Sequence, residues 1–229
     1  TDIKRALFND SEIKDITGGI VVKDGKLILD GLKVDLPGSR VYITALYRTP
    51  RKNHLFIGLD YHMLNVEIEK LIAMFPDLDT IMPMLKSFKG RGEFHFVAES
   101  YMFSNYDLKK STIRGAAAIA GQDLVLMDGQ TFSEIAKTLM FSKKTENKVD
   151  SIAAEFTLYK NEIDVYPFSL KMDKYRAVIS GKHSLDMSFI YHISLVDSPV
   201  PVKLGVDVSG TMDNLSIKPA LPRYAELYR

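Results

Sequence analysis

The side chains best suited to acid–base or metal chemistry are the five histidines, His54, His62, His95, His183 and His192. An imidazole titrates near neutral pH and binds metal ions through a ring nitrogen. No two of these histidines follow a His-x-His or His-x-x-x-His spacing, and the chain has no cysteine that could complete a zinc site. We therefore expect packing or surface roles for them, and no metal site.

Other catalytic patterns are equally weak. Gly90-Arg91-Gly92 lacks the third glycine of a phosphate-binding loop and is expected to be a turn between a helix and a strand. Ser133 has no Gly-x-Ser-x-Gly context for a nucleophile. Asp30, Asp60 and Asp128 lie near turns, where aspartate is common for backbone reasons. The sequence therefore predicts no catalytic residue, no cofactor and a protein that is not an enzyme.

The elements that would position any site are mostly strands, and the pattern is clearest between residues 151 and 217. Phe189, Tyr191, Ile193 and Leu195 alternate with mostly polar residues, as in an extended chain with one apolar face. Similar alternation recurs on both sides, separated by short turn signals. Consecutive strands of this kind predict an antiparallel meander that can be wet on one face and apolar on the other.

Apolar spacing becomes helical in three other places, which predicts short helices at 65–75, 77–88 and 131–141. Asn65 is the expected N-cap of the first helix. Thr131 is the expected N-cap of the third, because Thr131-Phe132-Ser133-Glu134 fits a capping box. The helices are inserted between runs of strands and do not alternate with them, so a βαβ fold is not expected.

The predicted fold class is mainly β: curved antiparallel sheet or sheets forming a groove or a sandwich-like half-barrel, with the three short helices inserted. Residues 1–17 are weakly patterned and are expected to be an N-terminal arm or a short helix. Residues 18–218 form the β domain, with a possible sub-boundary near 142–150. Residues 219–229, which carry two prolines, are expected to be a tail.

Composition excludes some partners. Lys plus Arg is 30 and Asp plus Glu is 29 in 229 residues, a net charge of +1, so the chain as a whole has no electrostatic footprint for nucleic acid. No apolar run approaches the roughly 18–20 residues that span a bilayer. The first residues lack an initiator methionine and a signal-peptide pattern. We expect the chain to be a piece of a longer protein in which a membrane anchor could precede it.

Same-parity residues of consecutive strands are expected to lie side by side on one concave apolar surface. Two alternatives remain open for it. It is an open groove for an apolar ligand, whose burial contributes about 0.8 kcal/mol per CH₂, or a closed core filled by the three helices, with contacts made through loops or sheet edges. The residues predicted for this surface are Phe156, Leu158, Phe168, Leu170, Met172, Phe189, Tyr191 and Ile193.

Two stretches resemble the C-terminal region of the AsmA-like family of bacterial envelope proteins. The first, residues 113–135, contains Ile-Arg-Gly-Ala-Ala-Ala-Ile followed by Asp-Leu-Val-Leu-Met-Asp-Gly. The second, residues 151–219, closes with Val-Ser-Gly-Thr-Met-Asp-Asn-Leu. Residues 32–47 and 64–75 also resemble the family, so the resemblance covers most of residues 20–218. Its motifs are loose β patterns with glycines and include no catalytic residues.

The resemblance implies a non-enzymatic, periplasm-facing protein, usually anchored to the inner membrane by an N-terminal segment that this chain lacks. It implies a role in outer-membrane assembly or phospholipid transport, and kinship to TamB and the bridge-like lipid transfer proteins, whose curved sheets hold acyl chains in an apolar trough. The expected partners are a phospholipid or another acyl-chain ligand, with envelope assembly proteins and no nucleic acid. The alternative is a scaffold module of envelope biogenesis with a closed core.

Overall fold

The computed structural model describes residues 2–8, 11–36, 38–74, 88–126, 148–172, 174–184, 188–198, 201, 203–211 and 214–228. These ranges contain thirteen strands, one short α-helix and two 3₁₀ turns. The strands are β1 (Asp2–Phe8), β2 (Ser11–Lys23), β3 (Lys26–Leu36), β4 (Ser39–Arg51), β5 (His54–Glu67), β6 (Phe88–Met102), β7 (Arg114–Leu126), β8 (Lys148–Tyr159), β9 (Glu162–Met172), β10 (Tyr175–Ser184), β11 (Phe189–Asp197), β12 (Leu204–Thr211) and β13 (Asn214–Ala220). The helix is α1 (Ile68–Met74), and the 3₁₀ turns are Lys110–Thr112 and Ala225–Tyr228.

All thirteen strands belong to one antiparallel sheet whose spatial order is the order of the chain. Each strand pairs only with its neighbours in sequence, so the fold is a single long meander with β1 and β13 as its edges. The sheet is curved and open. The prediction of a mainly β, antiparallel fold is therefore confirmed. β7 and β8 pair from Arg114 and Tyr159 to Val125 and Lys148, so the sheet is continuous across the predicted sub-boundary.

A bulge in β3 explains a change of parity in the sequence. Leu29 pairs with Ala45 and Leu32 pairs with Ile43, so β3 has one more residue than β4 in this interval. Gly31 takes φ +53°, a left-handed conformation that glycine adopts without steric cost. Because of the extra residue, the apolar positions before and after the bulge lie on the same face although their parity differs.

A second bulge lies in β9, between Val165 and Phe168. Phe168 pairs with Ile179 and Val165 pairs with Gly181, three steps in β9 against two in β10. On its other side, β9 also has one residue more than β8 in the paired interval. Pro167 falls inside this bulge, where the missing backbone N–H does not interrupt the regular ladder.

The prediction of an N-terminal arm is wrong. Residues 2–8 form β1, which pairs with β2 from Asp2 and Thr17 to Phe8 and Ser11. The alternation is weak because β1 is exposed on both faces along most of its length; Ile3 is 41% and Leu7 72% exposed. The predicted tail is also part of the sheet at its start, since β13 extends to Ala220.

The predicted helix at 65–75 is present in shortened form as α1. Residues 65–67 belong to β5, and Asn65 lies in a register irregularity with φ +55°; it is not an N-cap. Gly90-Arg91-Gly92, predicted to be a turn, lies inside β6. The predicted helix at 77–88 falls outside the described residues except for Phe88, which begins β6. The predicted helix at 131–141 and its Thr131 cap lie wholly outside the described residues.

Candidate functional site

The strand register places the eight residues of the predicted surface on one face of the sheet. Directly opposed residues of an antiparallel pair project to the same side. Ala177 pairs with Leu170 and Leu195, and Ile179 pairs with Phe168 and Ile193. Following these pairs across β8–β11, this side, the apolar face, carries Phe156, Leu158, Phe168, Leu170, Phe189, Tyr191 and Ile193, with Met172 placed by its backbone register opposite Tyr175.

The apolar face continues far beyond the predicted residues. Phe156 is opposed by Ala117 on one side and Val165 on the other, and each partner is opposed in turn by a further uncharged residue. The resulting line, the central row, has one residue on each strand from β3 to β13 and crosses about 48 Å of sheet at the usual strand spacing. Its members are Leu32, Ile43, Tyr61, Phe96, Ala117, Phe156, Val165, Gly181, Tyr191, Val208 and Ile217.

The apolar face is filled at both ends and half-buried between them. In the N-terminal half, Val41, Met63 and Val66 are buried, and Leu71 of α1 packs against them. In the C-terminal half, a second buried cluster consists of Tyr175, Leu195, Val206 and Val208, with Phe189 and Ile193 packed against it. The predicted residues on β8 and β9, Phe156, Leu158, Phe168 and Leu170, are only half-buried.

Two tyrosines in the central row, Tyr61 and Tyr191, have raised pKa values because their rings are largely removed from water. Burial raises the pKa of Tyr61 to about 12 and the pKa of Tyr191 to about 12. Desolvation disfavours the charged phenolate, so the shift runs upward for both side chains. The apolar face is therefore of low polarity around Tyr61 on β5 and around Tyr191 on β11.

Tyr191 also explains the glycine in the central row. A Cβ at Gly181 would lie 2.6 Å from Cδ1 of Tyr191 and 2.3 Å from the carbonyl oxygen of Ile190. These distances are shorter than van der Waals contact, so the tyrosine ring lies over the glycine and covers the space that a side chain would take.

The opposite side of the sheet, the polar face, carries the chemistry-bearing side chains that the sequence could not pair. His62 and His95 are cross-strand partners with ring centroids 4.8 Å apart. His62 Nε2 lies 2.6 Å from Glu93 Oε1, and His95 Nε2 lies 2.8 Å from Asp60 Oδ1. Each histidine is thus satisfied by one carboxylate. Within the described residues, no three histidine or acidic side chains are grouped so that they could hold a metal ion.

A shallow cavity of about 470 Å³ adjoins this pair on the polar face. Its floor consists of alanines, among them Ala118 and Ala120, and its rim includes Glu93, Glu155 and Tyr166. The cavity exists because the alanine side chains are small, whereas the side chains around them are larger. The cavity opens on the side of the sheet opposite the predicted surface, although Phe168 of that surface also belongs to its lining.

A third histidine forms a hydrogen-bonded chain that sequence reasoning missed. His192 Nδ1 lies 2.6 Å from Asp207 Oδ1, and His192 Nε2 lies 2.8 Å from Ser194 Oγ. The order acid, imidazole and hydroxyl resembles an activated serine. Ser194 is 0% exposed, however, and its Oγ accepts the backbone N–H of Arg223 at 2.6 Å. The chain therefore anchors the C-terminal segment over the polar face, and substrate cannot reach the hydroxyl in this conformation.

These pairs are invisible in the sequence because cross-strand distance is unrelated to sequence distance. Asp207 is the direct strand partner of His192 although 15 residues separate them, and Glu93 lies 31 residues from His62. The only usable signal is that His62, His95 and His192 each lie on the polar parity of their strands, whereas His183 lies on the apolar face opposite Ile163 and Phe189.

The described part of the chain contains no helix long and apolar enough to cross a bilayer. Comparisons with protein-family models, with curated proteins and with solved structures give no match, so the resemblance to the AsmA-like family stays a prediction.

Proposed function

We propose that this chain is a non-enzymatic module that holds lipid acyl chains on the apolar face of its sheet. The observation that carries the proposal is the central row, a line of uncharged residues on eleven consecutive strands. A meander needs one face that is packed, but this requirement does not by itself demand an uncharged residue at the same position of every strand. A row without one charged or amide side chain is the pattern expected for a continuous apolar track.

The half-buried stretch on β8 and β9 is the proposed seat of the acyl chains. Phe156, Leu158, Phe168 and Leu170 project there, and the buried clusters close the face on either side. Each methylene that moves from water onto such a surface contributes about 0.8 kcal/mol when it is fully buried. On the polar face, the His62–Glu93, His95–Asp60 and Lys182–Asp164 pairs remain accessible to water.

The resemblance to the AsmA-like family supplies the wider context of the proposal. In that context the ligand is a phospholipid, the compartment is the periplasm and the process is phospholipid transport or outer-membrane assembly. The family's inner-membrane anchor would belong to a segment outside this chain.

The second candidate function is a scaffold with a closed core, and the two buried clusters favour it. Val41, Met63 and Val206 are at most 1% exposed, as in an ordinary protein interior. In that case the apolar face is filled, and protein partners bind through loops or sheet edges.

Photo-crosslinking separates the two functions without disturbing the fold. We would replace Phe156 or Phe168 with benzoylphenylalanine, express the protein in a bacterial envelope and identify adducts by mass spectrometry. The matched control is Tyr166, an exposed aromatic residue of the same strand β9 that borders the cavity of the polar face. Lipid adducts at Phe156 and Phe168 but not at Tyr166 are expected. A closed core predicts no lipid adduct at any of the three positions.

Charge substitution provides the second test. Phe156→Asp places a carboxylate in the half-buried stretch proposed to hold the acyl chains, whereas Ile190→Asp places it on β11, where the side chain is 65% exposed. We expect Ile190→Asp to fold and to retain copurified lipid in native mass spectrometry, and Phe156→Asp to fold but lose it. Unfolding of Phe156→Asp would favour the closed core, because a buried charge without a partner is strongly destabilising. A folded Phe156→Asp protein that keeps its lipid would exclude a groove at this position.

A further inference from the structure

Three connections meet at one end of the sheet, because alternate connections of a meander lie on the same side. They are the β4–β5 turn, the β6–β7 loop and the β8–β9 turn. The Ser104 backbone N–H donates to Asn53 Oδ1 at 2.8 Å, which joins the first two. The Lys160 backbone N–H donates to the carbonyl oxygen of Ile113 at 2.8 Å, which joins the last two. Residues 51–53, 103–114 and 159–160 therefore form one continuous surface, the turn surface.

The turn surface exposes large apolar and aromatic side chains. Phe103 is 43%, Tyr106 66%, Leu108 49% and Tyr159 52% exposed. Tyr106 has φ +69°, which is unusual for a bulky residue and is maintained by its surroundings. The loop is internally bonded, with the Tyr106 N–H donating to the Phe103 carbonyl at 3.0 Å and the Phe103 N–H to the Asp107 carbonyl at 2.9 Å. The aromatic side chains thus project outward from a loop that is held by its own backbone hydrogen bonds.

The same surface is strongly basic in a chain that is almost neutral. Its charged residues are six cations and one carboxylate: Arg51, Lys52, Lys109, Lys110, Arg114, Lys160 and Asp107. The turn surface therefore has a net charge of +5. The rest of the chain has a net charge of −4, which brings the whole chain to +1. The cations are interleaved with the rings: Lys109 Nζ lies 4.8 Å from the Phe103 centroid, and Lys160 Nζ lies 5.0 Å from the Tyr159 centroid.

We propose that the turn surface docks on an anionic lipid bilayer. Aromatic side chains with an apolar body and a polar tip are favoured at the membrane–water interface. Lysine and arginine beside them are attracted to anionic headgroups. A purely electrostatic surface needs no exposed Phe103 and Leu108, and a protein-binding patch of this size needs no excess of five cations. The combination fits a bilayer whose headgroups meet the cations while the rings enter the interface.

The surface also touches the apolar face. Burial, together with its contact to Tyr106, raises the pKa of Tyr47, so the two side chains are neighbours. Tyr47 pairs with Ile57 and Leu27 and therefore projects to the apolar face. A bilayer bound to the turn surface would therefore lie next to the end of the apolar face that carries Tyr47. This orientation rests on the proposed function, whereas docking itself does not.

Vesicle flotation tests the proposal with the full chain. The probes are vesicles of phosphatidylcholine alone and of phosphatidylcholine with an equal amount of phosphatidylglycerol. We expect binding to the anionic vesicles only, and weaker binding when salt rises from about 0.05 M to about 0.5 M. The variant Lys52→Gln/Lys110→Gln/Lys160→Gln should reduce partitioning roughly 100-fold, since each cation near an anionic surface contributes about fivefold. The variant Phe103→Ser/Tyr106→Ser/Leu108→Ser should reduce it at least about tenfold.

The matched control removes similar groups elsewhere. Ile190→Ser/Lys203→Gln/Lys218→Gln deletes one exposed apolar side chain and two exposed cations outside the turn surface and should bind like the parent. Absence of binding to anionic vesicles, or equal loss in the control, would overturn the proposal. So would full binding by the aromatic variant alongside loss in the charge variant, which would indicate a general polyanion surface such as one for nucleic acid. Lipid crosslinking at Phe156 is read separately, so failure of docking and failure of the acyl-chain proposal are distinguishable.

Discussion

At the scale of single residues, Tyr61 and Tyr191 link the apolar face to pH. Both have a pKa of about 12 in the folded chain, against about 10 for an unfolded tyrosine. A raised pKa means that folding favours the neutral phenol. The resulting stabilisation of the folded chain is fully present below about pH 10 and is lost as the pH rises through about 12. In this range the two tyrosines ionise in the unfolded chain before they ionise in the folded chain.

We therefore expect the free energy of unfolding to fall as the pH is raised above about 10, and to fall less in Tyr61→Phe/Tyr191→Phe. Urea denaturation at a series of alkaline pH values measures this. Tyr159→Phe, which alters an exposed ring, is the control and should leave the pH profile unchanged. Identical alkaline profiles for the parent and the double variant would contradict a buried environment for these phenols.

The hydrogen-bonded chain through His192 makes a second prediction at this scale. Ser194→Ala removes the acceptor of the Arg223 N–H and the partner of His192 Nε2. A buried polar group left without a partner costs about 1–3 kcal/mol. We expect that loss in urea denaturation, together with faster proteolysis of residues 221–228. The control is Ser209→Ala, on the neighbouring strand and half-buried, which should have a smaller effect. Unchanged proteolysis of Ser194→Ala would show that the chain does not anchor the segment.

At the scale of elements, alternation predicted which residues share a face but not where strands begin. Phe189, Tyr191 and Ile193 follow strict parity, so their common side could be deduced from the sequence. The edge strand β1 could not be predicted, because a strand exposed to water on both faces has no reason to alternate apolar and polar residues. Gly92, predicted to lie in a turn, is opposed by Gly121 and lies inside the ladder between β6 and β7.

Bulges limit the prediction of the candidate site in the same way. The parity of Val165 and the parity of Phe168 differ, yet both residues belong to the apolar face because of the extra residue at Pro167. The central row also needs the register of ten strand pairs, and alternation within one strand contains no information about register. Only the fold brings Leu32 and Phe156 into the same line.

The β3 bulge can be tested by deletion. Removing Gly31 leaves two steps between Leu29 and Leu32, the same number as between Ala45 and Ile43, so Leu32 should keep its face in a regular ladder. We therefore expect the deletion to be tolerated. Gly31→Val keeps the extra residue but disfavours φ +53°, so it should cost about 1–2 kcal/mol in chemical denaturation. The control Gly31→Asn keeps the residue count and can adopt the left-handed conformation, so it should cost less than about 1 kcal/mol. Equal losses in Gly31→Val and Gly31→Asn would mean that the bulge does not depend on the left-handed conformation of residue 31.

At the scale of the whole molecule, the meander makes stability local. Among the thirteen described strands, each pairs only with its neighbours in sequence, so the fold resembles a repeat protein in which each unit contacts only its neighbours. The two ends are nevertheless unequal. β1–β2 is an exposed hairpin, whereas Leu215 and Ile217 of β13 pack on the buried cluster of Val206 and Val208.

Truncation should show this difference. A chain without residues 1–24 is expected to fold, with a circular dichroism spectrum still dominated by strand and a modestly lower denaturant m-value, because less surface is buried. A chain without residues 214–229 should be far less stable, since it exposes Val206 and Val208 and releases Ser194. Equal tolerance of both truncations would contradict the inequality of the two ends.

The strand order has a mechanical consequence. A force applied between β1 and β13 pulls across the strands, on opposite edges of the sheet, so it loads the hydrogen bonds of one outer strand at a time. Such a sheet unzips; it does not shear. In a pulling experiment it should yield at low force and in successive steps, each step the length of a strand or a hairpin. The first step should release the exposed β1–β2 hairpin, and the filled C-terminal cluster should be the last part to extend.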